Sequence, residues 1–167
     1  MTYLYLLDTN IVSDLVKHPT GKVAQRIAEV GELSVCTSIV VASELRFGAE
    51  KSSSLRLKQQ IDRILELMVV LPLDSPVEFY YAEIRAYLEQ EGIPIGANDL
   101  LIAAHGLALN LTVVTANIRE FSLVPNIAMV YKYAKSCQFW CSFGIPNLHF
   151  LGKVQVCMFC TFCIKVW

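Results

Sequence analysis

Asp8, Glu44, Asp99 and Asn117 are polar residues of types and placement that could do chemistry together. Asp8 ends the apolar run that begins at Tyr3, and Asn117 leaves the run Leu111–Val114. Glu44 lies in the helical pattern that follows a second apolar run, and Asp99 opens a helix. Carboxylate oxygens and water are the ligands that Mg²⁺ or Mn²⁺ prefers. Clustered carboxylates raise one another's pKa unless a cation lies between them. A divalent ion held there activates water and stabilises an in-line displacement at phosphorus. Each residue also has a plainer reading. Asp8 suits a helix N-cap. Glu44 suits a solvated helix face. Asp99 suits the positive end of a helix dipole, and Asn117 a turn.

The elements that must bring these residues together alternate along the chain. Apolar runs at Tyr3–Leu7, Leu33–Cys36, Met68–Leu71, Leu111–Val114 and Ile127–Val130 read as strands. Between them, helices are expected at Asn10–Val16, Val23–Val30, Ile39–Glu50, Leu55–Leu67, from an Asp74 or Ser75 cap through Glu91, and Asn98–Leu109. Thr37 and Ser38 read as a capping pair, and Leu57, Ile61, Ile64, Leu65 and Met68 recur at helical spacing. Strand–helix alternation predicts an α/β fold with a parallel central sheet covered by helices on both faces. Residues far apart in sequence then meet at the carboxyl edge of the strands, where ligands bind.

Composition narrows the function. The chain has 167 residues, 54% of them apolar and 17% charged, which suits one domain with a sizeable core. The net charge is −1 with no Lys/Arg block, so any contact with nucleic acid comes from a local patch. The N-terminus lacks the basic region of a signal peptide. His105 and Asn110 interrupt the stretch Leu100–Val114, and Lys153, Gln155 and Lys165 interrupt Leu148–Trp167, so neither reads as a membrane span. A cytoplasmic protein is expected.

Four stretches, in order, resemble the PIN-domain ribonuclease toxins of bacterial VapBC toxin–antitoxin pairs. They are Leu7-Asp8-Thr9-Asn10-Ile11-Val12-Ser13, Ser43-Glu44-Leu45-Arg46-Phe47-Gly48, Ile95 to Ala104 with Asn98-Asp99 at its centre, and Val114-Thr115-Ala116-Asn117 with Arg119-Glu120-Phe121. The resemblance covers residues 1 to about 130. It implies a three-layer PIN-like fold and a metal-dependent endoribonuclease that hydrolyses RNA, often transfer RNA, with a metal-activated water. By resemblance, Asp8, Glu44 and Asp99 hold Mg²⁺, with Mn²⁺ as a substitute, and Asn117 completes the catalytic set. Thr115 orients Asp8, and Asn10 stands in the same motif. Ala116 departs from the polar residue usual at its position. Arg46 is read as meeting phosphate or an antitoxin carboxylate, or as a surface ion pair. Glu120 is read as a surface acid on a short helix, with an outer-shell carboxylate as the alternative. The family likeness also implies an antitoxin whose tail blocks the acidic pocket, and a homodimer to which helix Leu55–Met68 contributes. Phosphoryl transfer through an aspartyl-phosphate at Asp8 fits less well, because Asn10 stands where that chemistry needs a second Asp. A PIN module that binds antitoxin or RNA without cutting is the non-enzymatic alternative.

Past residue 130 the composition changes. All fifteen acids lie at or before Glu120, and five of the six cysteines lie at or after Cys137. We therefore expect a PIN-like nuclease domain over 1–130 and an atypical Cys- and Phe-rich segment over 131–167. Cys137, Cys141, Cys157 and Cys160 approach a zinc-ribbon spacing, with His149 and Cys163 as further donors. Their aromatic and aliphatic surroundings speak against zinc, and the abrupt change of composition favours a segment derived from a shifted reading frame.

Overall fold

The structure is a computed structural model, and it describes residues 3–131. The expectations for the segment 131–167, zinc included, concern residues that lie outside the described ones, apart from Tyr131.

Five parallel strands form one sheet in the order β3-β2-β1-β4-β5. They are β1 (Tyr5–Leu7), β2 (Val35–Ser38), β3 (Val70–Leu71), β4 (Thr112–Thr115) and β5 (Met129–Tyr131). The helices are α1 (Thr9–Lys17), α2 (Lys22–Val30), α3 (Ile39–Ser52), α4 (Leu55–Leu67), α5 (Val77–Gln90), α6 (Ala97–Ala108) and the short α7 (Ile118–Phe121). This is the α/β architecture expected from the alternation of patterns. The chain builds outward from β1 through β2 to β3, then returns to lay β4 on the other flank of β1. The strand order therefore reverses between β1 and β4, and a crevice opens outside their carboxyl ends.

The hydrophobic pattern explains which faces are covered. Ile11, Val12, Leu15 and Val16 bury one side of α1, and Ile61 and Leu65 bury one side of α4. Helix α6 buries Leu100, Ile102, Ala103, Ala104, His105 and Gly106, half of its residues. Its small residues let it press closely onto the sheet. A Cβ added at Gly106 would lie 2.6 Å from Val113 Cγ2 of β4, and a branched strand side chain has little room to yield. Gly106→Ala is therefore expected to destabilise the fold by about 1–3 kcal/mol, as overpacking does. Chemical denaturation of the two proteins checks this.

Several boundaries move from their expected places. The second strand is Val35–Ser38 rather than Leu33–Cys36, because Glu32–Ser34 form a 3₁₀ turn. Ser34 Oγ holds that turn by donating to Gly31 O at 2.7 Å and Val30 O at 3.1 Å, and it leaves Leu33 exposed. Thr37 belongs to the strand and donates to Leu7 O at 2.8 Å, so only Ser38 of the expected pair caps α3. Strand β3 is shorter than expected, and β4 and β5 each end one residue later. Helix α5 begins at Val77 rather than after Asp74 or Ser75, since Ser75 precedes Pro76 and is steered away from helical geometry. Among the described residues no helix is long and apolar enough to cross a membrane.

Candidate active site

Asp8 follows the last residue of β1 and caps α1, so the plain and the chemical readings of this residue describe one arrangement. Its side chain is buried, at 2% exposure. Oδ1 accepts from Thr9 N at 2.6 Å, and Oδ2 accepts from Thr115 Oγ1 at 2.7 Å and from Asn10 Nδ2. Burial raises the Asp8 pKa and these donors lower it, with the net shift upward. Asn10 also ties the two central strands together, for its Oδ1 accepts from Ala116 N at 2.7 Å. Thr115 Oγ1 accepts from Asn117 N at 2.8 Å while it donates to Asp8. Asp8, Asn10, Thr115 and Asn117 thus form one network across the β1–β4 crevice.

Two further acids border that network. Glu44, on α3, accepts from Thr9 Oγ1 through Oε2 and from Asn98 Nδ2 at 2.7 Å through Oε1. Asp99, in the first turn of α6, accepts from Asn117 Nδ2 at 3.3 Å. Its pKa is pushed up to about 8, first by burial, then by Glu120, Asp8 and Glu44. Glu120 moves the opposite way, held down by its bond to Asp99 and by Gly96 N, which donates to Glu120 Oε2 at 3.2 Å. Asp99 and Glu120 therefore share one proton, carried by Asp99.

Glu120 is an acid on a short helix at the surface, as expected, and it also faces Asp99. It sits on the acidic rim because α7 turns it back toward the start of α6. Gly96 permits that approach: a Cβ there would lie 3.2 Å from Asp99 Oδ2 and 3.5 Å from Glu120 Oε2. Arg46 pairs with Asp62 at 3.3 Å across α3 and α4, both side chains exposed, which is its surface ion-pair reading. Thr9, Asn98 and Gly96 were not singled out from the sequence. All three lie inside stretches that carry the family resemblance, and that was the only signal available for them.

The donors are carboxylate and amide oxygens, the ligand type of a hard divalent cation. The mutual repulsion around Asp99 is what such a cation would cancel. In those respects the residues fit a divalent ion. The side chains are nonetheless turned onto hydrogen-bond partners, and among the described residues no three His, Cys, Asp or Glu groups stand ready to hold one ion.

Acids and amides gathered outside the carboxyl ends of β1 and β4 define a PIN-type nuclease. A family model described as "PIN domain" matches residues 5–126. The chain belongs to the PIN-domain family, on its VapC ribonuclease branch. It is 38% identical over 128 residues to Ribonuclease VapC2 of Rickettsia felis, covering 75% of this chain and 96% of that protein. It is 32% identical over 124 residues to the tRNA(fMet)-specific endonuclease VapC of Salmonella typhimurium, covering 74% of this chain and 93% of the relative. Among solved structures, the fold matches that of VapBC2 from Rickettsia felis bound to a promoter DNA fragment. The TM-score is 0.72 at 34% identity, over 77% of this chain and 98% of the other. DNA-bound VapBC from Salmonella typhimurium matches with a TM-score of 0.71 at 30% identity, over 78% and 99% of the respective chains.

Proposed function

We propose that the chain is the toxin of a type II toxin–antitoxin pair and hydrolyses RNA phosphodiester bonds, with transfer RNA as the substrate class, in the cytoplasm. The observation that carries this reading is the joining of Asp8, Glu44, Asp99 and Glu120 at one sheet edge by hydrogen bonds and mutual charge. Asp8, Glu44 and Asp99 would hold Mg²⁺, or Mn²⁺ in its place, with Glu120 and Asn117 beside them. Such a cation, when bound, supplies the Lewis-acid charge for water activation and for the departing oxygen.

The chain's own residues do the rest. Thr115 and Asn10 fix the Asp8 carboxylate, so its oxygens are aimed before any ligand arrives. Asn117 presents an amide to Asp99 and adds no fourth negative charge, which favours a single cation. Thr9 and Asn98 hold Glu44 toward the crevice. Glu120 holds or releases a proton with Asp99. An antitoxin would silence the site by placing a basic side chain among these acids. The exposed apolar residues Phe47, Leu55 and Leu67 on α3 and α4 support a homodimer through that pair of helices. We assign the function to residues 1–130 and treat 131–167 as separate.

The carboxylates do not stand preformed around one ion, and that favours a second reading, a module that binds RNA or antitoxin without cutting. One experiment separates the two. Purified protein is incubated with total RNA, with Mg²⁺ or with chelator, and new 5′ ends are mapped. Cleavage that requires the cation and disappears in Asp8→Ala supports the nuclease reading. RNA bound but uncut in every condition supports the binding module.

A further inference from the structure

We propose that His105 is a positioning residue for the acidic rim. Its bond to Ser38 ties α6, which carries Asp99, to the start of α3, which carries Glu44, and so sets the separation over which those acids share a divalent cation. The proposal rests on the reading that these acids hold the cation.

His105 and Ser38 are 67 residues apart in sequence, and both are buried, at 1% and 0% exposure. His105 Nδ1 lies 3.0 Å from Ser38 Oγ. Ser38 Oγ already accepts from Val40 N at 3.2 Å, the N-cap bond of α3. Its own hydrogen can donate to Nδ1, or its second lone pair can accept from Nδ1–H, and either tautomer of the neutral ring keeps the link. Burial lowers the His105 pKa and so favours the neutral ring, while Asp74 opposes the shift.

The bond is well placed to act at a distance. Asp99 precedes His105 by six residues and Glu44 follows Ser38 by six. Each acid thus sits about 9 Å along its own helix from the shared bond. The close approach of Gly106 to Val113 already sets the height of α6 above the sheet. The bond to Ser38 adds the sideways constraint, toward α3. Stability alone does not call for a polar pair here, because two apolar residues of the same shape can be nearly neutral in its place. A fixed, directional link between the two acid-bearing helices gives the pair a reason to be polar.

The test is titration of the purified full-length protein with Mn²⁺ alone, by calorimetry, with thermal unfolding run in parallel. His105→Phe keeps a ring and removes Nδ1, and His105→Asn returns an amide, with both a donor and an acceptor, near the place of Nδ1. His105→Phe is expected to remain folded and to bind Mn²⁺ about 10- to 100-fold more weakly, the usual effect of changing a group that supports a ligand. His105→Asn is expected to recover most of that loss. Should His105→Phe not fold, Ser38→Ala carries the same expectation. Wild-type Mn²⁺ affinity in a folded His105→Phe or Ser38→Ala protein overturns the proposal and leaves the pair as core filling. Asp99→Asn, titrated alongside, tests the underlying reading by itself: unchanged Mn²⁺ affinity there would remove the metal site altogether.

Discussion

Asp99→Asn is expected to lower the RNA cleavage rate by at least about 10²–10³-fold, the range for removal of one preorganised charge-stabilising group, while the variant unfolds in chelator at a temperature no lower than wild type. The two halves of this result have one cause. In the absence of a cation Asp99 is crowded by Glu120, Asp8 and Glu44, and it keeps a proton to a pH of about 8. The protonated carboxyl donates to Glu120 and accepts from Asn117. An asparagine amide copies that pattern, with N–H toward Glu120 and C=O toward Asn117. It discards the charge that repels its neighbours, which is also the charge that would attract the cation.

Asp8→Asn is the instructive contrast. Asp8 accepts on both oxygens, from Thr9 N, Thr115 Oγ1 and Asn10 Nδ2. An amide there sets N–H against at least one existing donor in a buried site, and a buried mismatch of that kind costs about 1–3 kcal/mol. Both substitutions should abolish cleavage, but only Asp8→Asn should weaken the fold. Turnover assays and thermal unfolding in chelator measure the two halves. A large fall in unfolding temperature for Asp99→Asn would show that Asp99 is ionised and favourably paired, contrary to the geometry around Gly96.

That contrast marks how far the site could be read from residues alone. Asp8 was legible because it ends an apolar run and opens a helix, and Thr115 only through the family resemblance, which gives it the hydroxyl that orients Asp8. The strand–helix alternation foretold the parallel sheet that joins them. Glu120 was legible only as the lesser alternative, an outer-shell carboxylate, since its place depends on α7, a four-residue helix too short for a periodic signal. Its bond to Gly96 spans 24 residues, and nothing local announces it. Thr9 and Glu44 are 35 residues apart, and their bond joins α1 to α3 with no local signal in the sequence. The Thr37-Ser38 pair misled for a related reason. Both were read as caps, yet Thr37 lies in the strand and only Ser38 caps α3; both are buried and both are satisfied, one by Leu7 O and one by Val40 N and His105. Hydrophobic pattern reports which face is covered. It carries no information on a polar side chain whose partner arrives from another element.

Cation binding and pH should be coupled through Asp99 in a direction opposite to ordinary acid denaturation. The folded pKa of Asp99 is about 8 against 3.8 for a free carboxyl. The folded protein therefore binds the proton more tightly than the unfolded chain does. In chelator this contribution to stability is complete below about pH 4 and is lost as pH rises through 8. Asp8 shifts the same way. His105 works oppositely, since its folded pKa lies below 6.5, so its contribution is lost as pH falls beneath that value. Glu120, held low, also favours the higher pH. From pH 6 to pH 8 the Asp99 shift is the largest of these, and the chelated protein should become less stable. A divalent cation reverses the slope, because it must displace the Asp99 proton to bind and so gains affinity by up to about tenfold per pH unit until that group ionises. At 100 times Kd the cation adds about 2.7 kcal/mol to stability. The gain in unfolding temperature on adding Mn²⁺ should therefore be small at pH 6 and large at pH 8, and Asp99→Asn should show little gain at either. High salt will soften the contrast, since Asp99 is only half-buried and its repulsion is partly screened. An equal gain at both pH values in the wild-type protein would mean that Asp99 is ionised throughout, and the shared proton with Glu120 would have to be abandoned.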